Sequence, residues 1–134
     1  MSSTSDIARL FFESQDRLRG GPDPALCAPG YVSRIGSMPP MTLADHHEFA
    51  TAFYRGFPDL LHTIHETIAG DGKAVVRFTL HGTHKEEFMG IPPTGRAITV
   101  SAIVILTVDG EKIAHLRGIF DQLGLLRQLG VVPS

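Results

Sequence analysis

The amino-acid sequence predicts an α+β fold in which helices pack on one face of a curved, mostly antiparallel sheet. Apolar residues before position 58 recur at the spacing of amphipathic helices, whereas those from Leu60 onward follow the two-residue period of strands. Turn sequences at 70–72 and 109–110 separate the later strands, as in a series of hairpins. Helices followed by a run of antiparallel strands are typical of the α+β class.

Length and composition are those of an ordinary globular protein, and we expect a single domain over residues 1–134. A chain of this size buries about two-thirds of the surface that it exposes when unfolded. Apolar residues make up 43% of the chain and charged residues 19%, which argues against a disordered or membrane-embedded protein. The net charge is −2 and the basic residues are scattered singly, so we expect neither nucleic acid nor a membrane as partner.

Cysteine content and the amino terminus bear on the compartment. Cys27 is the only cysteine, so the chain cannot form an internal disulfide. The first residues lack the apolar core of a secretory signal, and no apolar run has the length of a membrane span. We therefore expect a cytoplasmic protein.

The first 40 residues are predicted to contain one long helix and two short elements. The long helix covers Thr4–Arg19 and ends at the Gly-Gly-Pro sequence of 20–22. A further short helix is predicted for Pro24–Tyr31, broken by Pro29 and Gly30, and a short strand for Tyr31–Ile35.

A second long helix is predicted between Thr42 and Phe57. Thr42 and Asp45 have the spacing of a capping box, with Asp in place of the usual Glu or Gln, and Pro58 ends the helix. The strands predicted after it are Leu60–Ala69, Lys73–His84, Ala97–Val108 and Lys112–Asp121. An apolar loop rich in proline and glycine interrupts them at 88–95, and a short helix follows the last strand.

The last predicted strand and the helix after it contain the leading candidate for a functional residue, Asp121. Alternation along the strand would place Asp121 on one face with the residues two, four, six and eight positions before it, namely Ile119, Arg117, His115 and Ile113. A face that mixes apolar residues with a base, a cation and a carboxylate is typical of a pocket wall. We predict Asp121 as a general base, with His115 or Arg117 stabilising negative charge on a substrate oxygen. The alternative is that Asp121 is the N-cap of the following helix, and the sequence leaves both roles open.

Other kinds of site have little support. The seven histidines include no spacing typical of a metal site, because members of the pairs at 62 and 65 and at 81 and 84 would point to opposite faces of a strand. No serine-nucleophile elbow, cysteine motif or phosphate-binding loop occurs. We expect no metal and no cofactor. Arg77 and His84 are further polar residues on strands, and Tyr31 and Tyr54 are possible hydroxyl donors, with packing in the core as the alternative for each.

Several segments together resemble the SnoaL-like polyketide cyclases (ester cyclase-like), within the nuclear transport factor 2-like superfamily. The resemblance extends in unbroken order over about residues 40–130, and the loop Phe-Met-Gly-Ile-Pro-Pro-Thr-Gly at 88–95 is its most specific part together with the carboxyl-terminal segment. The segments that carry it are Phe57–Leu60, Val75–Thr79, Gly82–His84, Glu87–Arg96 and Phe120–Gly130.

The resemblance implies a cone-shaped fold with an apolar cavity, and ring closure by intramolecular aldol chemistry without metal or cofactor. The essential acid/base of such cyclases is an aspartate that matches Asp121, and their substrates are apolar, polyketide-like carbonyl compounds of secondary metabolism. A homodimer formed through the exposed sheet face is also implied. Alternatives within the superfamily are isomerases, epoxide hydrolases, hydroxylation partners and modules that only bind a ligand or dimerise.

The resemblance also has departures, and it suggests a set of substrate-binding residues. The family commonly has Glu-His-Trp where this chain has His115, Leu116 and Arg117, and Thr107 replaces a histidine of the aromatic polyketide cyclases. The predicted roof of the cavity is the loop that begins at Phe88 and runs to Ile91. The residues predicted to bind substrate are Tyr31, Phe49, Phe53, Phe78, His84, Phe88, Met89, Ile103 and Ile119, with Phe120 as a further lining residue.

Overall fold

The computed structural model describes residues 3–133 and contains, within them, three α-helices packed on a six-stranded, mostly antiparallel sheet. The α+β prediction is confirmed. The helices are α1 (Thr4–Leu18), α2 (Leu43–Gly56) and α3 (Gln122–Leu129). The strands are β1 (Cys27–Ile35), β2 (Met41–Thr42), β3 (Leu61–Gly70), β4 (Lys73–Thr83), β5 (Ala97–Asp109) and β6 (Lys112–Phe120).

The sheet has the order β2-β1-β6-β5-β4-β3, so the four long strands form a continuous antiparallel meander. β1 joins the meander parallel to β6, and the short β2 adds an antiparallel edge. The predicted meander is confirmed, with strand ends that differ from the prediction by one residue at most.

The helix starts follow from local sequence. Thr42 accepts a hydrogen bond from the Asp45 N–H, and Asp45 accepts one from the Thr42 N–H, which confirms the predicted capping box of α2. Ser3 and Asp6 form the same reciprocal pair at the start of α1. Satisfying these otherwise unpaired N–H groups fixes where each helix begins.

The short helix predicted at Pro24–Tyr31 is wrong in extent. Only Pro24–Leu26 forms one 3₁₀ turn, and β1 already begins at Cys27. The chain continues as a strand because β1 pairs with β6, and the break in their register between Cys27 and Val32 accommodates the Pro29–Gly30 sequence. Backbone pairing along the sheet therefore outweighs the local turn signal.

One β-bulge decides which residues of β6 face the core. Thr107 pairs with His115 but Val108 pairs with Ile113, so one extra residue is inserted in β6. Ile113 and Leu116 are consequently both buried, at 0% and 3% exposure, although an unbroken strand would point them to opposite faces. The predicted common face of Ile113 with His115 and Arg117 is therefore wrong.

The core lies between the helices and the inner face of the sheet. α1 buries Phe11 and Phe12 against residues of β4, β5 and β6. α2 packs with Phe88 of the loop between β4 and β5 and with Leu125 and Leu129 of α3. Within residues 3–133, no helix is both long enough and apolar enough to cross a lipid bilayer.

Candidate active site

A largely apolar cavity of about 80 Å³ lies between helices α1 and α2 and the inner face of the sheet, and it opens to the surface. A cavity of about 150 Å³ admits benzene, and sites for drug-sized ligands hold about 300–1,000 Å³. The space therefore admits only a very small molecule unless side chains move. Its lining residues are Phe11, Phe12, Gln15, Ile35, His46, Phe49, Ala50, Phe53, Tyr54, Leu60, His62, Phe78, Leu80, Ala102, Val104, Leu116, Gly118, Ile119 and Phe120.

The structure divides the residues predicted to bind substrate into two groups. Phe49, Phe53, Phe78 and Ile119 line the cavity, as does Phe120. Substrate binding by these residues stays a prediction. The other five do not line it: Tyr31, His84, Phe88, Met89 and Ile103.

Two of those five are exposed for a geometric reason. Ile103 is 45% exposed because the alternation of β5 points its neighbours Ala102 and Val104 inward and Ile103 outward. Met89 is 59% exposed at the tip of the 88–91 turn. Phe88 itself is buried, but its ring packs behind Phe53, with 4.7 Å between ring centroids. The predicted roof therefore supports the cavity wall from behind.

His84 and Tyr31 are buried outside the cavity. His84 accepts a hydrogen bond from the Thr94 N–H through Nδ1 (3.2 Å) and stacks on Phe57, so it organises the 84–96 loop. Its Nε2 has no partner among the described residues. The Tyr31 hydroxyl lies 2.8 Å from His46 Nδ1, so Tyr31 reaches the cavity only through His46, which lines it.

The three residues predicted as catalytic lie away from the cavity lining. His115 and Arg117 lie on the outer face of the sheet, because the bulge in β6 points Leu116 and Gly118 inward. Burial lowers the pKa of His115, and the charges of Arg34 and Arg117 lower it further.

Asp121 is exposed and is the N-cap of α3. Its Oδ1 accepts a hydrogen bond from the Gly124 N–H at 2.9 Å. It follows Phe120, which lines the cavity, but Asp121 is not part of the lining. The geometry thus supports the capping alternative, and the catalytic role of Asp121 stays a prediction.

A buried polar cluster occurs instead where α1 meets β3. The Asp16 carboxylate accepts hydrogen bonds from His62 Nδ1 (2.7 Å), from the Tyr54 hydroxyl (2.6 Å) and from the His62 backbone N–H (2.9 Å). The side chains of His62 and Asp16 are only 8% and 15% exposed. We call Asp16, His62 and Tyr54 the Asp16 cluster, and two of its members, Tyr54 and His62, line the cavity.

The charge of the Asp16 cluster follows from its contacts. Burial alone would raise the pKa of Asp16, but the hydrogen bonds from His62 and Tyr54 outweigh it and the net pKa is lowered. Burial and the hydrogen bond to Asp16 raise the pKa of Tyr54, so its hydroxyl keeps its proton. Arg19 lies over the Tyr54 ring, 4.7 Å from its centroid, and donates to the backbone carbonyls of Pro58 and Leu60. Asp16 is therefore an ionised acceptor held in place by neighbours.

His46 is the second imidazole on the cavity wall, and it is 5% exposed. Burial lowers the pKa of His46 to about 4, with His47 adding to the effect, so the ring is neutral at neutral pH. Burial likewise raises the pKa of Tyr31, so its phenol stays protonated beside His46. This pair offers a hydrogen-bonding group without a net charge.

The prediction from sequence missed Asp16 and His62, although each left a signal. Asp16 follows Phe11, Phe12 and Gln15 on the side of α1 that faces the sheet, where a carboxylate is uncommon. His62 occupies an inward position of β3, as its partial burial beside the exposed Leu61 and Thr63 shows.

Within residues 3–133, no three side chains of His, Cys, Asp or Glu converge as a metal site.

The family model described as SnoaL-like polyketide cyclase matches residues 21–129. No protein of curated function matches the chain by sequence.

Solved structures share the fold over nearly the whole chain. AclR, a candidate hydroxylase from Streptomyces galilaeus, is 21% identical with a TM-score of 0.86, covering 98% of this chain and 87% of its own. IdmH, a candidate polyketide cyclase from Streptomyces antibioticus, is 25% identical with a TM-score of 0.83, covering 96% and 99%. A candidate SnoaL-like polyketide cyclase from Jannaschia sp. CCS1 is 19% identical with a TM-score of 0.82, covering 97% and 93%.

Proposed function

Because this chain belongs to the SnoaL-like polyketide cyclase family, matched over residues 21–129, we propose that it is a cyclase-type enzyme. It would perform cofactor-independent, aldol-type acid–base chemistry on a small, largely apolar carbonyl compound. One observation carries the proposal: an otherwise apolar cavity has two imidazoles, His46 and His62, on its wall. An imidazole beside a bound substrate is a common general base.

The cavity restricts the substrate. Its aromatic and aliphatic walls favour an apolar carbon skeleton, and the polar groups able to meet a carbonyl oxygen are few: Gln15, His46, Tyr54 and His62. The volume of about 80 Å³ favours a short carbonyl compound over a multi-ring polyketide. Membership of the family therefore supports the reaction class, whereas the cavity volume argues against a large aromatic substrate.

A homodimer in the cytoplasm is part of the proposal. Ile103 pairs with Ile119 across β5 and β6, and the two side chains are 45% and 64% exposed, although Ile119 also contributes to the cavity lining. A second copy covering this part of the sheet would remove both side chains from water. Ile103→Lys should then give a monomer in light scattering, and a wild-type protein that is already monomeric would contradict the dimer. Cys27 is buried and unpaired, as expected in a reducing compartment.

The experiment that tests the function measures proton exchange on small ketones. Acetone, butanone and cyclopentanone are each incubated with the protein in D₂O, and loss of the α-proton signal is followed by NMR beside a buffer blank. We expect the protein to accelerate exchange of at least one ketone. If all three bind, as judged by shifts in protein resonances, and none exchanges faster than in buffer, the enzyme assignment is wrong.

A matched pair of variants locates the reaction in the cavity. Ala102→Leu adds bulk to the cavity wall and should abolish both ketone binding and exchange. Ser101→Val places new apolar atoms on the opposite face of the same strand and should leave both unchanged. Equal behaviour of the two variants would place the reaction elsewhere.

A binding module of the same fold is the second candidate function. The exposed position of Asp121, the residue that matches the family's acid/base, favours it. Binding of a ketone without exchange, lost in Ala102→Leu, is the result that this alternative predicts.

A further inference from the structure

We infer that His62, oriented by Asp16, is the general base of the cavity, with Nε2 as the atom that takes the substrate's proton. The inference rests on the proposed function, because it names the base of that reaction. No residue of the Asp16 cluster was a predicted catalytic residue.

Hydrogen bonding fixes which nitrogen of His62 is free. An ionised carboxylate can only accept, so the 2.7 Å contact with Asp16 requires a proton on His62 Nδ1. In the neutral ring, Nε2 then carries the lone pair. No described residue hydrogen-bonds Nε2, and Nε2 is not among the fully enclosed polar atoms of residues 3–133. A buried ring thus presents an unused basic atom at an accessible surface.

The ring of His62 borders two open spaces of the protein. The His62 ring lies between Phe12 and Phe78, with centroid distances of 5.1 and 5.3 Å, and both phenylalanines line the cavity. His62 and Phe12 also line a second, polar cleft between α1 and β3, whose charged residues besides Asp16 are Arg9 and Glu13. The His62 side chain therefore borders both the apolar cavity and the polar cleft.

A purely structural cluster would not need this arrangement. Asp16 lies in the last turn of α1, where the helix dipole disfavours a negative charge. Three hydrogen bonds compensate for that position, and two of them come from His62. The two bonds from His62 fix its backbone and its ring together, which is the way a positioning carboxylate holds a catalytic histidine.

The proposed step balances without any other reagent. His62 Nε2 takes a proton from the carbon next to a carbonyl, and the C–H electron pair becomes the C=C bond of an enolate. The enolate carbon then attacks a second carbonyl carbon of the same molecule, forming the C–C bond of the ring. The π electrons of that carbonyl become an alkoxide, which takes the proton back from Nε2 and restores neutral His62.

Asp16 and Tyr54 are positioning residues in this scheme. The Asp16 carboxylate holds the proton of His62 on Nδ1. The Tyr54 hydroxyl donates a hydrogen bond to the same carboxylate oxygen, Asp16 Oδ1 (2.6 Å). Arg19 in turn holds the Tyr54 ring. Neutral His46, the other imidazole on the cavity wall, is paired with the Tyr31 hydroxyl and not with a carboxylate.

The kinetic test uses the ketone-exchange assay with the full-length protein. His62→Gln should lose about 100-fold or more of the exchange rate. Asp16→Asn should lose at least about tenfold, because the amide no longer fixes the Nδ1–H tautomer. His65→Gln is the matched control, since His65 is an exposed histidine of the same strand bonded to Thr79, and its rate should equal wild type.

The pattern of loss decides between the two possible bases. Retained exchange in His62→Gln, with exchange lost in Asp121→Asn, would assign the base to Asp121 and overturn the inference while the proposed function stands. Loss in His62→Gln and His65→Gln alike would show a general effect of altering β3 and would also overturn it.

A second measurement does not need turnover. Nitrogen-15 NMR of the histidine rings should show His62 with the proton on Nδ1, and ketone binding should shift its Nε2 resonance. Asp16→Asn should move the ring toward the Nε2–H tautomer, an effect that loss of packing would not produce. A wild-type His62 with its proton on Nε2, or one that does not respond to bound ketone, would overturn the inference even if no ketone exchanges.

Discussion

Asp16 and Asp121 are two carboxylates at helix ends, and the structure uses them in opposite ways. Asp121 begins α3, where the helix dipole favours a negative charge and a backbone N–H is free to donate. Asp16 is in the last turn of α1, where the dipole disfavours the charge, and its hydrogen bonds come from residues 38 and 46 positions away. Asp121 is exposed, whereas the side chain of Asp16 is 15% exposed.

The contrast shows that a carboxylate held by its neighbours in sequence needs only a structural explanation. The hydrogen bond that holds the Asp121 side chain comes from the Gly124 N–H, three residues away, so a helix start alone explains a carboxylate at this position. Nothing local explains Asp16, whose partners belong to α2 and β3. A charge held against its local preference by distant contacts is the better candidate for function.

The largest expected effect is that of Asp16→Ala on stability. Removal of the carboxylate leaves the Tyr54 hydroxyl, the His62 N–H and His62 Nδ1 without their acceptor in a mostly buried place. We expect a loss of about 3 kcal/mol in the free energy of unfolding, measured by urea denaturation. A loss below about 1 kcal/mol would mean that the cluster holds the fold weakly and would remove the contrast with Asp121.

The second prediction concerns pH. The pKa of Asp16 is lowered from its ordinary value of 3.8 in the folded protein, so the stability that it contributes is fully present above that value. The contribution is lost as the pH falls through the lower, folded pKa. The difference in unfolding free energy between wild type and Asp16→Asn should therefore shrink as the pH falls below 3.8. A difference that grows as the pH falls below 3.8 would contradict the assignment of an ionised Asp16.

A smaller effect is expected at Asp121. Asp121→Ala should cost about 1 kcal/mol of stability and Asp121→Asn less, because Asn is itself a good N-cap. Thermal unfolding of the two variants measures both values. No loss in either variant would show that the cap contributes nothing, and a functional reason for the aspartate would then gain weight.

The smallest effect is expected for Gly124→Ala in the wild-type background. A Cβ at this position would lie 2.1 Å from Asp121 Oδ2, so the capping carboxylate must move. The loss of the cap should offset the gain of about 1 kcal/mol in helix propensity that alanine has over glycine. In the Asp121→Ala background nothing is displaced and the gain should appear in full. Equal effects in both backgrounds would show that the cap and Gly124 are independent.

The sequence predicts the local parts of this molecule well and the distant parts poorly. The capping box of Thr42 and Asp45 and the strands from Leu60 onward follow from neighbouring residues, and the structure confirms them. The face of β6 could not be predicted, because a bulge opposite Thr107 shifts the alternation and no residue type marks it.

The site was hard to predict for a related reason. Phe53 and Phe78 could be placed in the cavity lining because helix and strand periodicity mark their inward faces. Asp16 and His62 are 46 positions apart, and only the docking of α1 on β3 brings them to 2.7 Å. Pairings of that range depend on tertiary packing, which a pattern of nearby residues does not encode.

The family model matches residues 21–129, so Asp16, in the last turn of α1, lies five residues before the matched segment. The sheet and His62 thus lie within the segment that the family model matches, while the carboxylate that orients the His62 ring lies outside it. Two relatives alike throughout that segment can therefore differ in proton chemistry through one helical position ahead of it. Substrate preference and reactivity can in this way diverge without any change in the part of the chain by which such proteins are grouped.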